Sequence, residues 1–564
     1  MNLDNISRSH FVAAPASNPA LLEVKGLNVS FPTPRGRVQA VRGVSFQIAA
    51  GEILALVGES GSGKSVTART LVGLAGARAE VRAEAMSMVG HDGLTLDLLG
   101  LSEKAWRRLR GREIGFVLQD ALVSLDPLRT VGREVAEPIQ AHRLLPRSQV
   151  ARRVEELLVR AGIPDPEHRA AQYPHELSGG LRQRALIASA LAAEPRLLIA
   201  DEPTTALDVT VQRQVLAVFK ELARAGHAVL IITHDLAVAA QLADRVLVMQ
   251  NGEVVEAGPA RSVLSSPRHE YTRRLLAAVP TAATRGQWLS KSDGVPIRRS
   301  VVEAGAPLLD IRNVSVSFRR PDGGRLDAVR GVSLEVGRGE TLGIVGESGS
   351  GKSTLGKVAL ALRRAASGEV LFDGKPWSAL AESGRRPLRS LIQTISQDPL
   401  GSFDPRFTVE RIIEQPLLLR GGLDRAARRS RIAELIELVG LSPELLPRRP
   451  NTLSGGQRQR VSIAQALAAE PKLLICDEPV SALDVTTQAQ VLDLLIDLQG
   501  RLGLSMVFIS HDLGVVQHMS HRIAVMKDGA VVETGTAEQV FNHPQHAYTR
   551  DLIASVPALS VLAG

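Results

Sequence analysis

Residues 58 to 65 read Gly58-Glu-Ser-Gly-Ser-Gly-Lys-Ser65, placed directly after the apolar run Ile53–Val57. Glycines at the first, fourth and sixth positions allow a tight backbone path, so that successive N–H groups and a following helix N-terminus converge on an anion. The pattern GxxxxGK[ST] therefore predicts a phosphate cradle between a strand and a helix. The same string returns as Gly346-Glu-Ser-Gly-Ser-Gly-Lys-Ser353 after Thr341–Val345, at an offset of 346 minus 58, or 288. In this reading Gly58, Gly61, Gly63, Gly346, Gly349 and Gly351 shape two loops, and Lys64 and Lys352 reach the terminal phosphates. The hydroxyls of Ser65 and Ser353 are candidate Mg²⁺ ligands.

Beyond these two loops the chain repeats itself. Gln119 pairs with Gln397 (278 apart), Ser178 with Ser454 (276), Asp201 with Asp477 (276), His234 with His511 (277) and Tyr271 with Tyr548 (277). The fall in offset places a deletion of about ten residues between Lys352 and Gln397, where a surface loop tolerates it. Residues 281–306 carry Gly286, Gly294, Pro296 and Gly305 with little apolar periodicity and read as a linker. The expected division is a loose tail at 1–20, one domain at 21–280, the linker, and a second domain at 307–564. Short Val/Ile/Leu runs alternate with helical patterns, as in a sheet covered on both faces. Val154, Leu157, Leu158 and Ala161 instead recur at helical spacing and mark a helical insert between Gln119 and Ser178.

Composition sets outer limits. A chain of 564 residues holds several structural units. With 44% apolar and 22% charged residues, neither a disordered nor a collagen-like chain fits. The net charge, 67 minus 59 or +8, suits a phosphate-bearing partner or an anionic membrane face, but no compact basic block accompanies it. The single cysteine, Cys476, excludes an internal disulfide and a cysteine-based metal site. No apolar stretch reaches eighteen residues, so any membrane role is expected through partners.

Two apolar strands end in paired carboxylates, Leu197-Leu-Ile-Ala-Asp-Glu202 and Leu473-Leu-Ile-Cys-Asp-Glu478. Beside phosphate loops, Asp201 and Asp477 are expected to hold Mg²⁺ through water, and Glu202 and Glu478 to orient or deprotonate the attacking water.

With Leu177-Ser-Gly-Gly-Leu-Arg-Gln and Leu453-Ser-Gly-Gly-Gln-Arg-Gln, nearly the whole chain resembles the nucleotide-binding subunits of ATP-binding cassette transporters. The resemblance implies an α/β fold of two tandem P-loop NTPase (ABC-type) domains. Each would have a RecA-like parallel-sheet core, an antiparallel β subdomain and a helical subdomain, and ATP and Mg²⁺ would be the cofactors. Ser178, Gly179 and Gly180, and Ser454, Gly455 and Gly456, would cradle the partner domain's nucleotide at a helix N-terminus. Leu181 departs from the usual glutamine, which removes one side-chain contact. Gln119 and Gln397 match the glutamine loop and would touch Mg²⁺ or the water. His234 and His511 match the switch histidine, and Asp208 and Asp484 the loop that crosses between domains. Phe31 and Phe318 either stack on adenine or pack inward.

Leu109-Arg-Gly-Arg-Glu-Ile-Gly-Phe-Val-Leu-Gln119 and Ser124-Leu-Asp-Pro127 look like the ATPases of bacterial peptide and nickel importers. Both copies end in a similar tail, His269-Glu-Tyr-Thr and His546-Ala-Tyr-Thr, which resembles that branch's His-Pro-Tyr-Thr extension with the proline replaced. The tyrosines are expected to be buried in a helical cap. The resemblance implies an ATPase, peripheral on the cytoplasmic face of the inner (plasma) membrane. It would serve two integral-membrane permeases and a periplasmic or lipid-anchored substrate-binding protein, its two cassettes pairing head to tail within one chain. No nucleic-acid partner is expected. The substrate expected is a di- or oligopeptide, with nickel, glutathione or an opine as alternatives. A soluble double cassette acting on ribosomes or DNA is the rival reading; the short linker and lone cysteine oppose it.

Overall fold

The computed structural model describes residues 20–33, 36–119, 124–204, 207–282, 284–291, 296–297, 302–303, 305–319 and 324–555. The tail reading for residues 1–20 thus falls almost wholly outside the described residues. The chain forms two compact units, one up to Leu276 and the other from Ala277.

Each unit is built on a six-stranded sheet whose central strands are buried, mostly Val/Ile/Leu runs, while the outer strands Glu253–Pro259 and Ala530–Thr536 are partly exposed. In the first the order is Glu253–Pro259, Arg245–Gln250, Ile53–Val57, Ala228–Thr233, Leu197–Asp201 and Ile114–Val117. In the second it is Ala530–Thr536, Arg522–Lys527, Thr341–Val345, Ser505–Ile509, Leu473–Asp477 and Ile392–Ile395. All pairings are parallel except the outer hairpin that opens each order. This order sets the phosphate-loop strand two places from the strand ending in paired carboxylates, with the histidine strand between them. Three loops thereby leave the carboxyl ends of neighbouring parallel strands, where open α/β sheets bind ligands.

A separate antiparallel sheet packs on each unit, with five strands in the first and four in the second. The ten-residue difference therefore lies in this sheet: the first copy has the extra strand Glu80–Arg82 and a longer hairpin through Thr95–Asp97. It is not confined to a bare loop. The helical insert of the first unit contains Val131–Ala141, Arg147–Arg160 and Pro166–Ala171, and it buries Val154, Leu157, Leu158 and Ala161, as their spacing predicts.

The connector between the copies has a specific dock within the second unit. Leu289 is 2% exposed and joins the core formed by helix Val485–Leu502 and its neighbours. The Leu289 and Ser290 amides donate to the two carboxylate oxygens of Asp493 at 3.0 and 2.8 Å, and Asp493 is itself 5% exposed. The matching residue of the first copy, 276 positions earlier, is Ala217. Asp493→Ala leaves both amides without these acceptors at a cost of about 1–2 kcal/mol. Trypsin should then cleave after Arg285 and Lys291 about tenfold faster than in the native chain, as read from a gel time course.

Candidate functional site

In both units the phosphate loop has the same geometry. The glycine just before the lysine, Gly63 or Gly351, adopts φ of +102° or +100° and begins the helix Lys64–Thr70 or Lys352–Ala359. The buried lysines turn back onto the loop: Lys64 Nζ donates to the Gly58 and Glu59 carbonyls at 2.8 and 2.7 Å, and Lys352 Nζ to those of Gly346 and Glu347 at 2.7 Å each. A terminal phosphate would offer these ammonium groups stronger, charged acceptors.

The hydroxyls of Ser65 and Ser353 donate to Oδ1 of Asp201 and Asp477, both at 2.9 Å. Burial raises the pKa of both aspartates, and the serine hydroxyls partly oppose this. Asp201 is fully buried, and among the described residues nothing donates to its Oδ2. A hydroxyl beside a buried carboxylate with one unused oxygen is a hard, oxygen-only donor set that fits Mg²⁺. Among the described residues no cluster of His, Cys, Asp and Glu offers another metal site.

The next residue, Glu202 or Glu478, is held from both sides. Gln119 Nε2 donates to Glu202 Oε2 at 2.9 Å, and His234 Nδ1 lies 3.2 Å from Oε1. Gln397 and His511 hold Glu478 at the same distances. Both glutamates have φ of +49°, a left-handed conformation that is unfavourable outside glycine. Their backbone N–H groups bond to Ile232 and Ile509 of the adjacent strand, which keeps the side chain turned into the loop cluster. Burial disfavours the charged forms of His234 and His511, but the facing glutamates outweigh it and raise both pKa values. Glu478 is correspondingly lowered, since His511 and Lys352 outweigh its burial.

Ser178 and Ser454 cap helices Gly179–Leu191 and Gly455–Ala468. A Cβ on Gly180 or Gly456 would run into Val211 or Thr487, so the second glycine of each pair is required by packing. The departure at Leu181 has a physical consequence. Gln457 Oε1 accepts from Ser454 N at 3.0 Å and closes a reciprocal capping box, which a leucine cannot do. Asp208 and Asp484 cap the next helices by accepting from Val211 N and Thr487 N.

Phe31 and Phe318 are half-buried near the ends of the interior strands Ala20–Thr33 and Leu309–Arg319 of their antiparallel sheets, and the Arg363 guanidinium lies 4.3 Å over the Phe318 ring. Sequence reading did not single out Arg363, which has no spacing relation to the phenylalanine. Nor did it connect Tyr271 and Tyr548 with the phosphate loops: they are buried as expected, yet their hydroxyls also meet loop amides.

A phosphate loop, a buried Ser–Asp pair and a clamped glutamate at the carboxyl edge of one sheet, together with a serine–glycine helix start, define an ATP-binding cassette, and the chain has two. Family comparison agrees: the ABC transporter description matches residues 41–205 and 329–481, and the oligopeptide/dipeptide transporter C-terminal region matches 255–305 and 532–563. The chain belongs to the ABC transporter family and is the ATP-hydrolysing subunit of an importer. It is 44% identical over 557 residues to the glutathione import ATP-binding protein GsiA of Salmonella choleraesuis (strain SC-B67), covering 95% of this chain and 89% of that one. It is 43% identical over 564 residues to the GsiA protein of Escherichia coli O157:H7, with the same coverage. A solved dimeric ATP-binding cassette in a post-hydrolysis state with ADP and Pi matches 41% of this chain and 98% of its own at 31% identity, with a TM-score of 0.38. As the subunit of an importer, the chain implies membrane permeases as partners; among the described residues no helix is long and apolar enough to cross a membrane.

Proposed function

We propose that this subunit drives uptake of small peptides, with the tripeptide glutathione the first candidate. The substrate class is supported by the oligopeptide/dipeptide region matched at both tails and by relatives named for glutathione import. We place it at the cytoplasmic face of the membrane with two permeases and a separate substrate-binding protein. Residues 21–280 and 307–564 act as the cassettes and 281–306 as the connector. Nickel or opine uptake is the reading that a failed peptide test would leave.

The hydrolytic chemistry is carried by the clamp on Glu202 and Glu478. Gln119 and Gln397 hold one carboxylate oxygen and the histidines the other, so the base is aimed before substrate arrives. From that position Glu202 or Glu478 would take the proton of the attacking water, and His234 or His511 would steady the carboxylate and meet the γ-phosphate. Lys64 and Lys352 would leave their carbonyls for the phosphates. Ser65 Oγ, the Gln119 amide oxygen and, through water, Asp201 would hold Mg²⁺, which when bound neutralises charge on the phosphate oxygens; Ser353, Gln397 and Asp477 would do so in the second site. Head-to-tail pairing of the cassettes would complete each site with Ser178-Gly-Gly or Ser454-Gly-Gly of the other copy. ATP would then favour the closed pair by contacts that hydrolysis removes.

The test is reconstitution of the chain with its permeases and substrate-binding protein in vesicles, with ATP turnover measured against added ligands. Reduced glutathione or dipeptides should raise turnover severalfold over basal. Stimulation by a metal chelate or an opine alone would overturn the peptide assignment.

A further inference from the structure

The two tail helices, Glu270–Ala277 and Ala547–Ala554, bring a buried phenol to each phosphate loop. Tyr271 is 2% exposed and its hydroxyl oxygen accepts from Glu59 N–H at 3.0 Å; Tyr548 is 7% exposed and accepts from Glu347 N–H at 3.1 Å. That N–H belongs to the peptide group whose carbonyl, on Gly58 or Gly346, receives the lysine ammonium at 2.8 or 2.7 Å. Phenol, peptide plane and lysine head thus form one hydrogen-bonded series in each copy. The arrangement recurs in two halves whose tails differ in sequence.

We propose that Tyr271 and Tyr548 are positioning residues of the two nucleotide sites. Each fixes the first peptide plane of its phosphate loop, and through that plane the place of Lys64 or Lys352. The tails are built to hold the phenols in place. Glu256 accepts from the amides of Arg268 and His269 at 2.8 and 3.1 Å, and Glu533 from those of Gln545 and His546 at 2.8 and 3.0 Å. Burial would raise Glu533, but the Gln545 and His546 amides hold it below the usual carboxylate range. His269 and His546 then accept the tyrosine N–H on Nδ1 at 3.2 Å, which sets the start of each helix and so the direction of its tyrosine. The intervening Glu270 and Ala547 are exposed, and the contact is the same in both copies although these two residues differ.

The proposal rests on the nucleotide-site reading above, and the experiment separates the two. Tyr271→Phe, Tyr548→Phe and the double variant keep the ring and remove only the hydroxyl. In the full chain, KM for ATP should rise about tenfold at the altered site, with kcat changing less than about twofold and Tm nearly constant. Without nucleotide, amide hydrogen exchange of the loop peptides around Glu59 or Glu347 should quicken by about tenfold. Unchanged KM and exchange in the Phe variants, with or without a lower Tm, would leave the tyrosines as packing alone and overturn the proposal. A native chain that binds no ATP would instead overturn the nucleotide-site reading, and this proposal with it.

Discussion

A chain with Glu202→Gln and Glu478→Gln together should still bind ATP but hydrolyse it at least about a hundredfold more slowly, the usual contribution of a positioned general base. The substitution is nearly isosteric and keeps an oxygen for one of the two flanking groups, so the loops should hold their shape. What it removes is the basic carboxylate that His234 and Gln119, or His511 and Gln397, aim at the site. The single variants separate the two sites. Both copies have the full set of Lys, Ser, Asp, Glu, Gln and His, so each single change should lower steady-state turnover. A phosphate-release assay at saturating ATP checks this, with nucleotide binding measured in parallel. If neither single change alters turnover, the glutamates are not the water-activating bases.

The second large effect is expected at Gly351. Its φ of +100° strains any side chain by ~1–2 kcal/mol, and a Cβ there would overlap the Ala328 backbone carbonyl oxygen. Backbone moves less readily than a side chain, so overpacking adds ~1–3 kcal/mol. Gly351→Ala should therefore lower the Tm of the second unit by roughly 5–10 °C and abolish ATP binding at that site, while the first site keeps its affinity. Gly349, two residues earlier, is the control. It also has positive φ, +82°, but a Cβ there would meet nothing within 4 Å. Gly349→Ala should cost only the conformational strain. Equal losses of stability in the two variants, followed by thermal denaturation, would show that close approach to Ala328 does not matter.

Much of the site was legible because its chemistry is local in sequence. Phosphate binding by backbone N–H groups needs closely spaced glycines and a helix start, and a carboxylate at a strand end needs only an apolar run before it. Such strings declare themselves, and their duplication in the same order removed the ambiguity of any single match. The joint hold of Gln119 and His234 on Glu202 joins residues 83 and 32 positions away from the glutamate. Order along the chain placed all three, but only adjacency of their strands in the sheet put them within hydrogen-bonding distance.

Other features left little local trace. Ser454-Gly-Gly-Gln457 has the spacing of a capping box, which Leu181 breaks in the first copy, but the bonds that close it are set by the geometry of the helix start. The connector looked featureless because its anchorage depends on one leucine and two backbone amides meeting Asp493, about two hundred residues away. The tail tyrosines were predictable as buried, since a phenol after a helix cap and before leucines packs inward. Their hydrogen bonds to Glu59 and Glu347 cross 212 and 201 residues, and no periodicity encodes such a pairing. Residue type and spacing thus determined which groups are available for nucleotide chemistry and that two sets exist. Tertiary structure decided which glycines face backbone, which carboxylate oxygen lacks a donor and which distant side chain fixes the loop, because those depend on strand order and on close packing between segments remote in sequence.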